Sequence, residues 1–484
     1  MSAARRRFAT PAGGAGGSGP FRYSPRNILL GSPIEETPPR GFMQQEVPVS
    51  QAARVVATGG AGGQAISTSY RTYVLVIMTL VYVVNYLDRQ ILGILNPQIK
   101  AEFHVSNFLI GLLNGPAFAL MYATLGIPIA VLADRMNRRN VIAVSMTIFS
   151  LMTLLGAYAA QFWQLMLTRF GTGIGEAGTG PSINSVLADL YPPHKRASAL
   201  AFYSAGLNIG LLIAFFGGGW IAQHYGWRIA LRTAGLPGLL LAILLVTTVR
   251  EPQRGLVEKL SDTADTPNLW AVVRYLWQQK SFRWISFGTA MSSFGGYANI
   301  AFLPQFLVVS HHMKLPAIGL ALSLLTGGVG AIGTYLSGVF ADLFAKRDVR
   351  GNMYVLIVAT CIGLPFAPIL YLSADTTTAL LAAAGPSLVG AAFIGPAYAM
   401  SQALVPLRMR ARSAAILLFV LNIIALGTAA PIVGAISDLL EPMLGQDALR
   451  YALMTGMITA AIGGYCYWRA SLTLKADIAR VSEA

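Results

Sequence analysis

Two acidic and two basic residues lie inside apolar stretches of the sequence, where ionisable groups are rare. Asp88 and Arg89 occur in the string V-V-N-Y-L-D-R-Q-I-L, and Asn85 precedes them by about one helical turn. Arg169 and Glu176 occur in R-F-G-T-G-I-G-E-A-G and are seven positions apart, so they share one face of a helix. An ionised group at mid-bilayer costs at least about 2.5–3.5 kcal/mol on insertion scales. We expect such residues to pair, to hold a proton for part of a cycle, or both.

These residue types are suited to reversible proton binding. Burial favours the neutral form of a carboxylic acid, whereas a nearby arginine favours the ionised form. A carboxylate that meets Arg89 or Arg169 in only one conformation would bind and release a proton as the protein changes shape. We therefore predict a proton-coupling role for Asp88 and Glu176. The alternative is a static network of ion pairs that braces two helices.

The elements that hold these residues are predicted to be membrane helices. Of 484 residues, 55% are hydrophobic and 11% are charged, and the mean hydropathy is +0.58. An average soluble domain has about 25% charged residues, and a membrane span needs about 20 mostly apolar residues. The sequence thus predicts an all-α polytopic membrane protein with about twelve transmembrane helices. The apolar segments cover 73–95, 107–133, 141–160, 164–190, 197–222, 228–249, 284–310, 316–344, 352–373, 378–406, 413–440 and 451–472.

The predicted helices form two bundles of six that are joined by a polar linker. Residues 1–70 are rich in Gly, Ala, Ser and Pro, and we expect a disordered tail because they have few large apolar residues to bury. We assign 71–250 to the N-terminal bundle and 284–472 to the C-terminal bundle. The segment 251–283 is the predicted cytoplasmic linker, and 473–484 is the predicted cytoplasmic C-terminus.

The linker has a regular tryptophan spacing. Trp270, Trp277 and Trp284 follow one another at intervals of seven, which places them on one face of a helix. This pattern predicts an amphipathic helix that lies on the cytoplasmic leaflet of the membrane. A solvated linker is the alternative.

An internal repeat indicates that the two bundles are copies of one another. The pair Gly-Pro at 180–181 recurs at 395–396, and the string P-x-x-x-R-A that starts at Pro192 recurs from Pro406. Repeats of this length identify a duplicated unit. Parallel six-helix repeats are typical of the major facilitator architecture, which the sequence therefore predicts.

A charged motif follows the second apolar segment. The run G-I-P-I-A-V-L-A-D-R-M-N-R-R from Gly126 resembles the major facilitator signature G-x-x-x-D-R-x-G-R-R, with Ala130 and Asn137 where glycine is usual. An acid at a helix end can pair with arginines and helix termini in one conformation and release them in the other, which predicts a cytoplasmic gate. The alternative is that these charges only set the topology. The predicted gate residues are Asp134, Arg135, Arg138 and Arg139, and in the second copy Asp342, Lys346 and Arg347.

Several function classes are excluded by composition and motif context. The net charge of +15 is concentrated in the loops of one side, as the positive-inside rule describes, and this distribution argues against a nucleic-acid partner. Cys361 and Cys466 lie in apolar segments, so we predict neither a disulfide nor a metal site. The string G-x-G-x-x-G at 173–178 has no preceding strand and predicts close helix packing rather than a dinucleotide site. No nucleophile with a base is evident, so the chain is not predicted to be an enzyme.

Four motifs together resemble the spinster-like branch of the major facilitator superfamily. They are N-Y-L-D-R-Q from Asn85, D-R-M-N-R-R from Asp134 with Asn137 rather than glycine, R-F-G-T-G-I-G-E-A-G from Arg169, and D-L-Y-P-P-H-K-R from Asp189. The resemblance covers about 70–472 and does not include the N-terminal tail. It implies transport of lysophospholipids or sphingoid phosphates, often together with protons.

The resemblance also implies roles for individual residues. The acids of the first-helix and fourth-helix motifs are the protonation candidates in that family, and here they are Asp88 and Glu176. The accompanying arginines match Arg89 and Arg169. No cofactor is implied, and the energy source would be the proton gradient.

The second copy indicates the kind of cargo. Its seventh helix has the polar residues Tyr297 and Asn299, which we add to the predicted substrate contacts Arg89, Arg169 and Asn85, but it has no charge. A cavity with one charged wall and one apolar wall suits an amphiphile with an anionic or zwitterionic head. Two alternatives stay open: a proton symporter for small organic anions such as sugar acids, and a membrane receptor or scaffold that transports nothing.

We expect an integral, multi-pass protein of the bacterial inner membrane with both termini in the cytoplasm, because the basic loops lie on the side of the termini. The expected partners are the lipid bilayer and one small-molecule or lipid substrate. We expect a monomer.

Overall fold

The computed structural model of the chain describes residues 67–252 and 268–483. Within these ranges the secondary structure is entirely helical. The predicted tail lies outside the described residues except for its last positions, where Ser67 caps the first helix by accepting a hydrogen bond from the backbone N–H of Tyr70 at 3.2 Å.

The N-terminal half contains six long helical elements. The stretch Gly218–Thr248 is broken at Gly226, whose φ of 82° is readily adopted only by glycine. The part before Gly226 completes the fifth element, α5, and the part after it forms the sixth element, α6. The elements are α1, Thr68–Phe103; α2, Asn107–Asn114 and Pro116–Arg135; α3, Arg138–Gly156; α4, Phe162–Ala177 and Thr179–Leu190; and α5, Pro193–Leu212 with a π turn at Ile213–Gly217.

The C-terminal half repeats this arrangement after a short linker helix, Leu269–Gln278. Its elements are α7, Lys280–His311; α8, Leu315–Leu322, a π turn at Ser323–Val329 and Gly330–Ala345; α9, Gly351–Gly363 and Phe366–Leu372; α10, Thr376–Val389 and Ile394–Ala403; α11, Arg410–Leu421, a π turn at Asn422–Leu426 and Gly427–Leu444; and α12, Ala448–Leu453 and Thr455–Glu483.

The helices are long and apolar enough to cross a membrane. Eight stretches of the described residues satisfy this criterion, and two of them, His194–Thr248 with 55 residues and Arg410–Val481 with 72, each contain two crossings. The elements α4 and α7 have similar lengths and complete the twelve helices found in the described part of the chain. The prediction of an all-α membrane protein with about twelve helices is thereby confirmed.

The two halves are interrupted at matching places. The π turn Ile213–Gly217 of α5 recurs as Asn422–Leu426 of α11, its counterpart six helices later. The break of α2 at Gly115 has its counterpart in the π turn Ser323–Val329 of α8. Single π turns inside helices are often found at functional sites. The duplicated unit thus includes its irregularities as well as its sequence motifs.

The last helix extends further than the apolar pattern indicates. It continues to Glu483, beyond the predicted apolar end at 472. Leu474 is fully buried, and Asp477 accepts a hydrogen bond from the backbone N–H of Ser281 at 2.8 Å. The Asp477 carboxylate attaches this extension to the start of α7. Since a polar contact does not register in hydropathy, a prediction from apolar residues ends the helix too early.

Backbone contacts join the two halves. Because twelve helices alternate in direction, Ser67 and Glu483 lie at one end of the bundle, which we call the proximal end, and we call the opposite end the distal end. Towards the distal end, a Cβ added to Gly93 of α1 would lie 2.4 Å from the carbonyl oxygen of Ile300 in α7. A Cβ on Gly434 of α11 would lie 2.3 Å from the carbonyl oxygen of Asn107 in α2. Only glycine permits these approaches.

The glycine-rich string of α4 is also explained by helix packing. An added Cβ would lie 2.6 Å from the carbonyl oxygen of Phe118 at Gly173, and 2.6 Å from the backbone nitrogen of Phe149 at Gly175. Gly173 and Gly175 lie within the helix that ends at Ala177, Gly178 is the residue at which this helix ends, and no strand precedes the string in the described residues. Its glycines therefore let α2 and α3 approach α4.

We expect Gly175→Ala to destabilise the purified protein by about 1–3 kcal/mol, since overpacking a tight contact typically has this cost. Gly180→Ala is the matched control in α4, because a Cβ there meets no atom within 4 Å. The measurement is the melting temperature of each variant in detergent by scanning fluorimetry. Equal melting temperatures for the two variants would contradict the close-packing interpretation.

Candidate functional site

Four charged side chains from α1 and α4 lie in the interior of the N-terminal half. Asp88, Arg169 and Glu176 are buried, while Arg89 is partly exposed. Glu176 lies at the end of the first segment of α4, immediately before the helix breaks at Gly178. Its backbone carbonyl accepts a hydrogen bond from the Thr179 hydroxyl at 2.8 Å, which helps to satisfy the carbonyl groups at the break.

Arg89 and Glu176 form an ion pair between α1 and α4. The Arg89 Nε and Nη2 atoms donate hydrogen bonds to Glu176 Oε2 at 2.9 and 2.5 Å. The Glu176 side chain is 0% exposed, whereas the Arg89 side chain is 16% exposed. The other carboxylate oxygen, Oε1, is buried without a hydrogen-bond partner among the described residues. The pair is thus accessible from the arginine side.

The second acid has a different environment. Asp88 Oδ1 accepts a hydrogen bond from the Thr153 hydroxyl of α3, while Oδ2 is buried and has no partner among residues 67–252 and 268–483. Asp88 and Arg169 interact electrostatically, although no direct ion pair joins them. Arg169 Nε is also buried and, within the same ranges, lacks a hydrogen-bond partner. Asp88 and Arg169 therefore retain polar atoms that another group could bind.

Aromatic rings surround the two arginines. The Arg89 guanidinium carbon lies 4.8 Å from the ring centre of Phe118, 4.7 Å from that of Tyr122 and 5.3 Å from that of Tyr86. The Arg169 guanidinium carbon is 5.4 Å from the same Phe118 ring. Cation–π contacts of this kind stabilise a guanidinium group where water is scarce. Phe118 thus contacts both cations.

The C-terminal half supplies one of its two predicted site residues to this region. Tyr297 of α7 packs against the small cluster formed by Phe118, Ala119 and Leu426, which Tyr122 also contacts. Asn299 instead accepts a hydrogen bond from the Tyr371 hydroxyl of α9 at 2.6 Å. Asn85 is buried in α1, and its Nδ2 has no hydrogen-bond partner in the described part of the chain.

At the proximal end, Arg138 joins the ends of three helices. Its Nη1 contacts the Asp189 carboxylate of α4, its Nε donates to Glu251 Oε1 at 2.8 Å, and its Nη2 donates to the Pro252 carbonyl at 2.8 Å. The backbone N–H of Arg139 donates to Glu251 Oε2 at 2.9 Å. This proximal cluster connects α3, α4 and the end of α6.

The other predicted gate residues are not part of this cluster. The side chains of Asp134 and Arg135 lie outside what the structure describes. Asp342, Lys346 and Arg347 are exposed, and the described residues form no ion pair with them. The duplicated motif therefore has different surroundings in the two halves.

At the distal end, Asp438 of α11 caps the start of α2. The backbone N–H groups of Asn107 and Phe108 donate to Asp438 Oδ1 and Oδ2 at 2.9 and 2.8 Å. A carboxylate at a helix N-terminus satisfies unpaired N–H groups and interacts favourably with the helix dipole. This cap connects the two halves through hydrogen bonds to a charged group.

Asn107 extends this distal contact to two more helices. Its Oδ1 accepts hydrogen bonds from Lys100 of α1 at 2.7 Å and from Gln305 of α7 at 2.9 Å. Its Nδ2 donates to the Ser437 hydroxyl at 3.0 Å. Nearby, Asn96 Nδ2 donates to the carbonyl of Ala301 at 2.8 Å. The halves are therefore closed against each other at the distal end.

The described residues contain no group of three or more His, Cys, Asp or Glu side chains placed to hold a metal ion. Cys361 is exposed and Cys466 is buried, and neither forms a disulfide. The polar groups around Arg89 and Arg169 are candidates for binding a ligand.

We expect Asp438→Asn to raise the population of distal-open molecules by about tenfold, since a charge-assisted hydrogen bond contributes ~1.5–3 kcal/mol. Spin labels are placed at the exposed positions Ala101 and Leu439. Electron paramagnetic resonance would then show a larger population of molecules with the longer distance between the two labels. Asp447→Asn is the control, because Asp447 pairs with Arg450 inside the C-terminal half. An unchanged distance distribution in Asp438→Asn would rule out a closing role for the cap.

Comparison with known proteins places this geometry among transporters. The family model described as Major Facilitator Superfamily matches residues 78–425. An MFS-type efflux pump of Mycolicibacterium smegmatis is 33% identical over 83% of this chain and 93% of its own length. Protein spinster homolog 1 of Xenopus tropicalis is 27% identical over 84% of this chain and 82% of its own length.

A solved structure and a third relative complete the comparison. The crystal structure of a bacterial homolog of the human lysosomal transporter Spinster, in an inward-facing and unoccupied conformation, matches with a TM-score of 0.78 and 29% identity. The match covers 85% of this chain and 99% of that one. A probable galactarate/D-glucarate transporter of Bacillus subtilis is 25% identical over 58% of this chain and 66% of its own length.

Proposed function

The chain belongs to the major facilitator superfamily, and we propose that it is a proton-coupled secondary transporter for an amphiphilic lipid, such as a lysophospholipid or a sphingoid phosphate. It is an integral, multi-pass membrane transporter and not an enzyme. The observation that carries the proposal is the partly exposed Arg89, which is held between the buried Glu176 carboxylate and aromatic rings.

Transport would proceed by alternating access, and the described conformation is closed at the distal end. We infer that the proximal end faces the cytoplasm, because basic residues concentrate in the loops on that side. The described state would then be inward-facing, the conformation given for the bacterial Spinster homolog that it resembles. Both termini would lie in the cytoplasm, and the membrane would be the bacterial inner membrane.

The Arg89–Glu176 pair suggests how a proton and an anion could be coupled. In the described state, Glu176 accepts both hydrogen bonds from Arg89. Protonation of Glu176 would remove its charge and weaken this pairing, so that Arg89 could bind an anionic head group instead. Binding of the proton and binding of the anion would then favour each other. This arrangement supports symport with a proton.

Asp88 would be the second proton-coupling group. It is buried with Thr153 as its hydrogen-bond donor and has an electrostatic interaction with Arg169 but no direct pair. Since an uncompensated charge is costly in the membrane interior, Asp88 would remain ionised only while Arg169 stays close. Movement of α1 relative to α4 would therefore change its proton occupancy.

The walls of the site favour an amphiphilic cargo. The charged groups belong to the N-terminal half, whereas the C-terminal half contributes Tyr297 and Leu426 next to Phe118 and Tyr122. A phosphate near Arg89 would place an acyl or sphingoid chain along these rings and the apolar residues around them. The resemblance to the spinster-like branch implies this substrate class, and relatives named as spinster homologs agree with the branch.

A proton symporter for small organic anions is the second candidate function, and the resemblance to a probable galactarate/D-glucarate transporter favours it. A hydrophilic sugar acid would need polar partners on both walls. Asn299, the other polar residue predicted in the C-terminal half, is bonded to Tyr371 and does not join Tyr297 at this wall. The geometry therefore supports the amphiphile better than the sugar acid.

We expect Asp88→Asn and Glu176→Gln each to abolish accumulation driven by a pH gradient in proteoliposomes while retaining substrate exchange at equal concentrations. Exchange needs no net proton movement, so the two assays separate coupling from folding. Asp447→Asn is the control, since its side chain is half-exposed and distant in the fold from the charged cluster. The coupling idea fails if both neutral variants still accumulate substrate against its gradient.

We expect lysophosphatidic acid to bind the purified wild type and Arg89→Gln to weaken this binding about 10–100-fold, as loss of a charged hydrogen bond predicts. Thermal stabilisation by the lysolipid, with D-glucarate as competitor, is the measurement. Arg232→Gln is the control, because Arg232 stacks on Tyr158 away from the charged cluster. Stabilisation by glucarate alone would favour the sugar-acid function, and lysolipid binding without uptake into proteoliposomes would favour a receptor.

A further inference from the structure

The linker helix Leu269–Gln278 is attached to the C-terminal half by one face. Val272 and Leu276 are completely buried in the hydrophobic cluster that includes residues of α7, α9, α10, α11 and α12. Directly after the helix, Gln279 Nε2 donates a hydrogen bond to the carbonyl of Leu404 at 2.7 Å. The helix therefore has a fixed orientation relative to the C-terminal half. The face opposite Val272 and Leu276 points away from that half.

That opposite face is aromatic and basic. Trp270 is 68% exposed and Trp277 is 51% exposed, and Arg274 lies between them at helical spacing. A shallow groove on this face is lined by Asn268, Trp270, Ala271, Arg274, Tyr275 and Gln278. Two largely exposed indoles on one short helix are unfavourable in water, whereas tryptophan is enriched at membrane–water interfaces.

Trp284 lies on α7 and not on the linker helix, and together with α12 it forms a similar combination of residues. The Arg469 guanidinium carbon lies 5.3 Å from the ring centre of Trp284, and its Nη1 donates to the Tyr465 hydroxyl at 3.2 Å. Trp284 packs against the same hydrophobic cluster as the linker helix, and the neighbouring Trp468 is 47% exposed. Aromatic and basic residues thus occur both on the linker helix and on the membrane-spanning helices that pack against the same hydrophobic cluster.

The charges of this surface have one sign. From Asn268 to Trp284 the chain has three basic residues, Arg274, Lys280 and Arg283, and no acidic residue. All three are exposed, and no ion pair involving them is formed within the described ranges. Such a surface complements the negative head groups of acidic lipids, which attract nearby Lys and Arg residues.

We propose that these residues form a binding surface for anionic phospholipids of the proximal leaflet. The basic-aromatic surface consists of Trp270, Arg274, Trp277, Trp284 and Arg469. The indoles insert at the level of the head groups, and the arginines contact the phosphate groups. A membrane lipid fits better than a free anion because the exposed rings need an apolar neighbour as well as a charge.

This surface gives the two halves different attachments to the membrane. Because the linker helix packs on the C-terminal half, a lipid bound to it anchors that half. The N-terminal half, which holds the charged cluster, would then be the half that tilts. The inference is independent of the transported substrate, so it stands or fails separately from the proposed function.

The test uses the full chain in nanodiscs with brominated phosphatidylglycerol or brominated phosphatidylcholine, which quench nearby tryptophan fluorescence. The signal of the two linker tryptophans is obtained as the difference between the wild type and the double variant Trp270→Phe/Trp277→Phe. We expect this difference signal to be quenched more strongly by the brominated phosphatidylglycerol. Quenching by aqueous iodide instead of either lipid would overturn the proposal.

Charge variants separate specific lipid binding from simple burial. In Arg274→Gln/Arg469→Gln we expect the two brominated lipids to quench equally. Arg408→Gln/Arg410→Gln is the matched control, since it removes the same charge from exposed positions at the start of α11. Retention of the preference for phosphatidylglycerol in the first variant would overturn the proposal. So would an equal loss of preference in the control. The comparison of the two lipids in the wild type uses only the tryptophan-to-phenylalanine variant as its reference, and that variant keeps an aromatic ring at both positions.

Discussion

The fold depends on how one buried ion pair is kept in the membrane interior. Arg89 and Glu176 are drawn from different helices, and neither charge would be tolerated there alone. Pairing leaves the guanidinium group partly exposed, and the rings of Phe118 and Tyr122 replace water on its faces. The helix break after Glu176, the glycine contacts of α4 and the aromatic residues of α2 all serve to hold this pair in place.

Closure of the distal end uses a different kind of interaction. Glycine positions let helix backbones of the two halves touch, and Asp438 and Asn107 supply hydrogen bonds around this contact. Each of these bonds is modest once exchange with water is considered. An interface between the two halves that consists of such contacts can form and separate repeatedly. The proximal cluster around Arg138 instead lies within one half and is suited to keeping that half rigid.

The sequence alone predicts the helical membrane architecture and the four charged residues that the structure brings together in the candidate site. Apolar segments of membrane-spanning length predicted the helices, and charges inside them were conspicuous because they are rare. Thr153, Phe118 and Tyr122 were missed, since a threonine or an aromatic residue in an apolar helix has nothing unusual about it. Their roles depend on which faces of α2 and α3 meet α1, and helix rotation is not readable from hydropathy.

The predicted cytoplasmic gate around Arg138 shows a second limit of prediction from sequence. The motif around Arg138 was recognised, but its partners Asp189 and Glu251 are 51 and 113 residues further along the chain. Nothing in the sequence around Asp438 indicates that it caps the first turn of α2. Contacts between residues so distant in sequence require the three-dimensional arrangement of the helices. The branch-specific substrate and the direction of proton movement likewise remain predictions.

The matched π turns of α5 and α11 have a mechanical consequence. A π turn inserts one residue into a helical turn and leaves its carbonyl groups with weaker partners, so the helix is softer there than on either side. Both halves therefore have a softened turn inside corresponding helices, and α5 and α11 can each bend within their own length. Alternating access would then involve bending of these two helices as well as rotation of the two halves as rigid bodies.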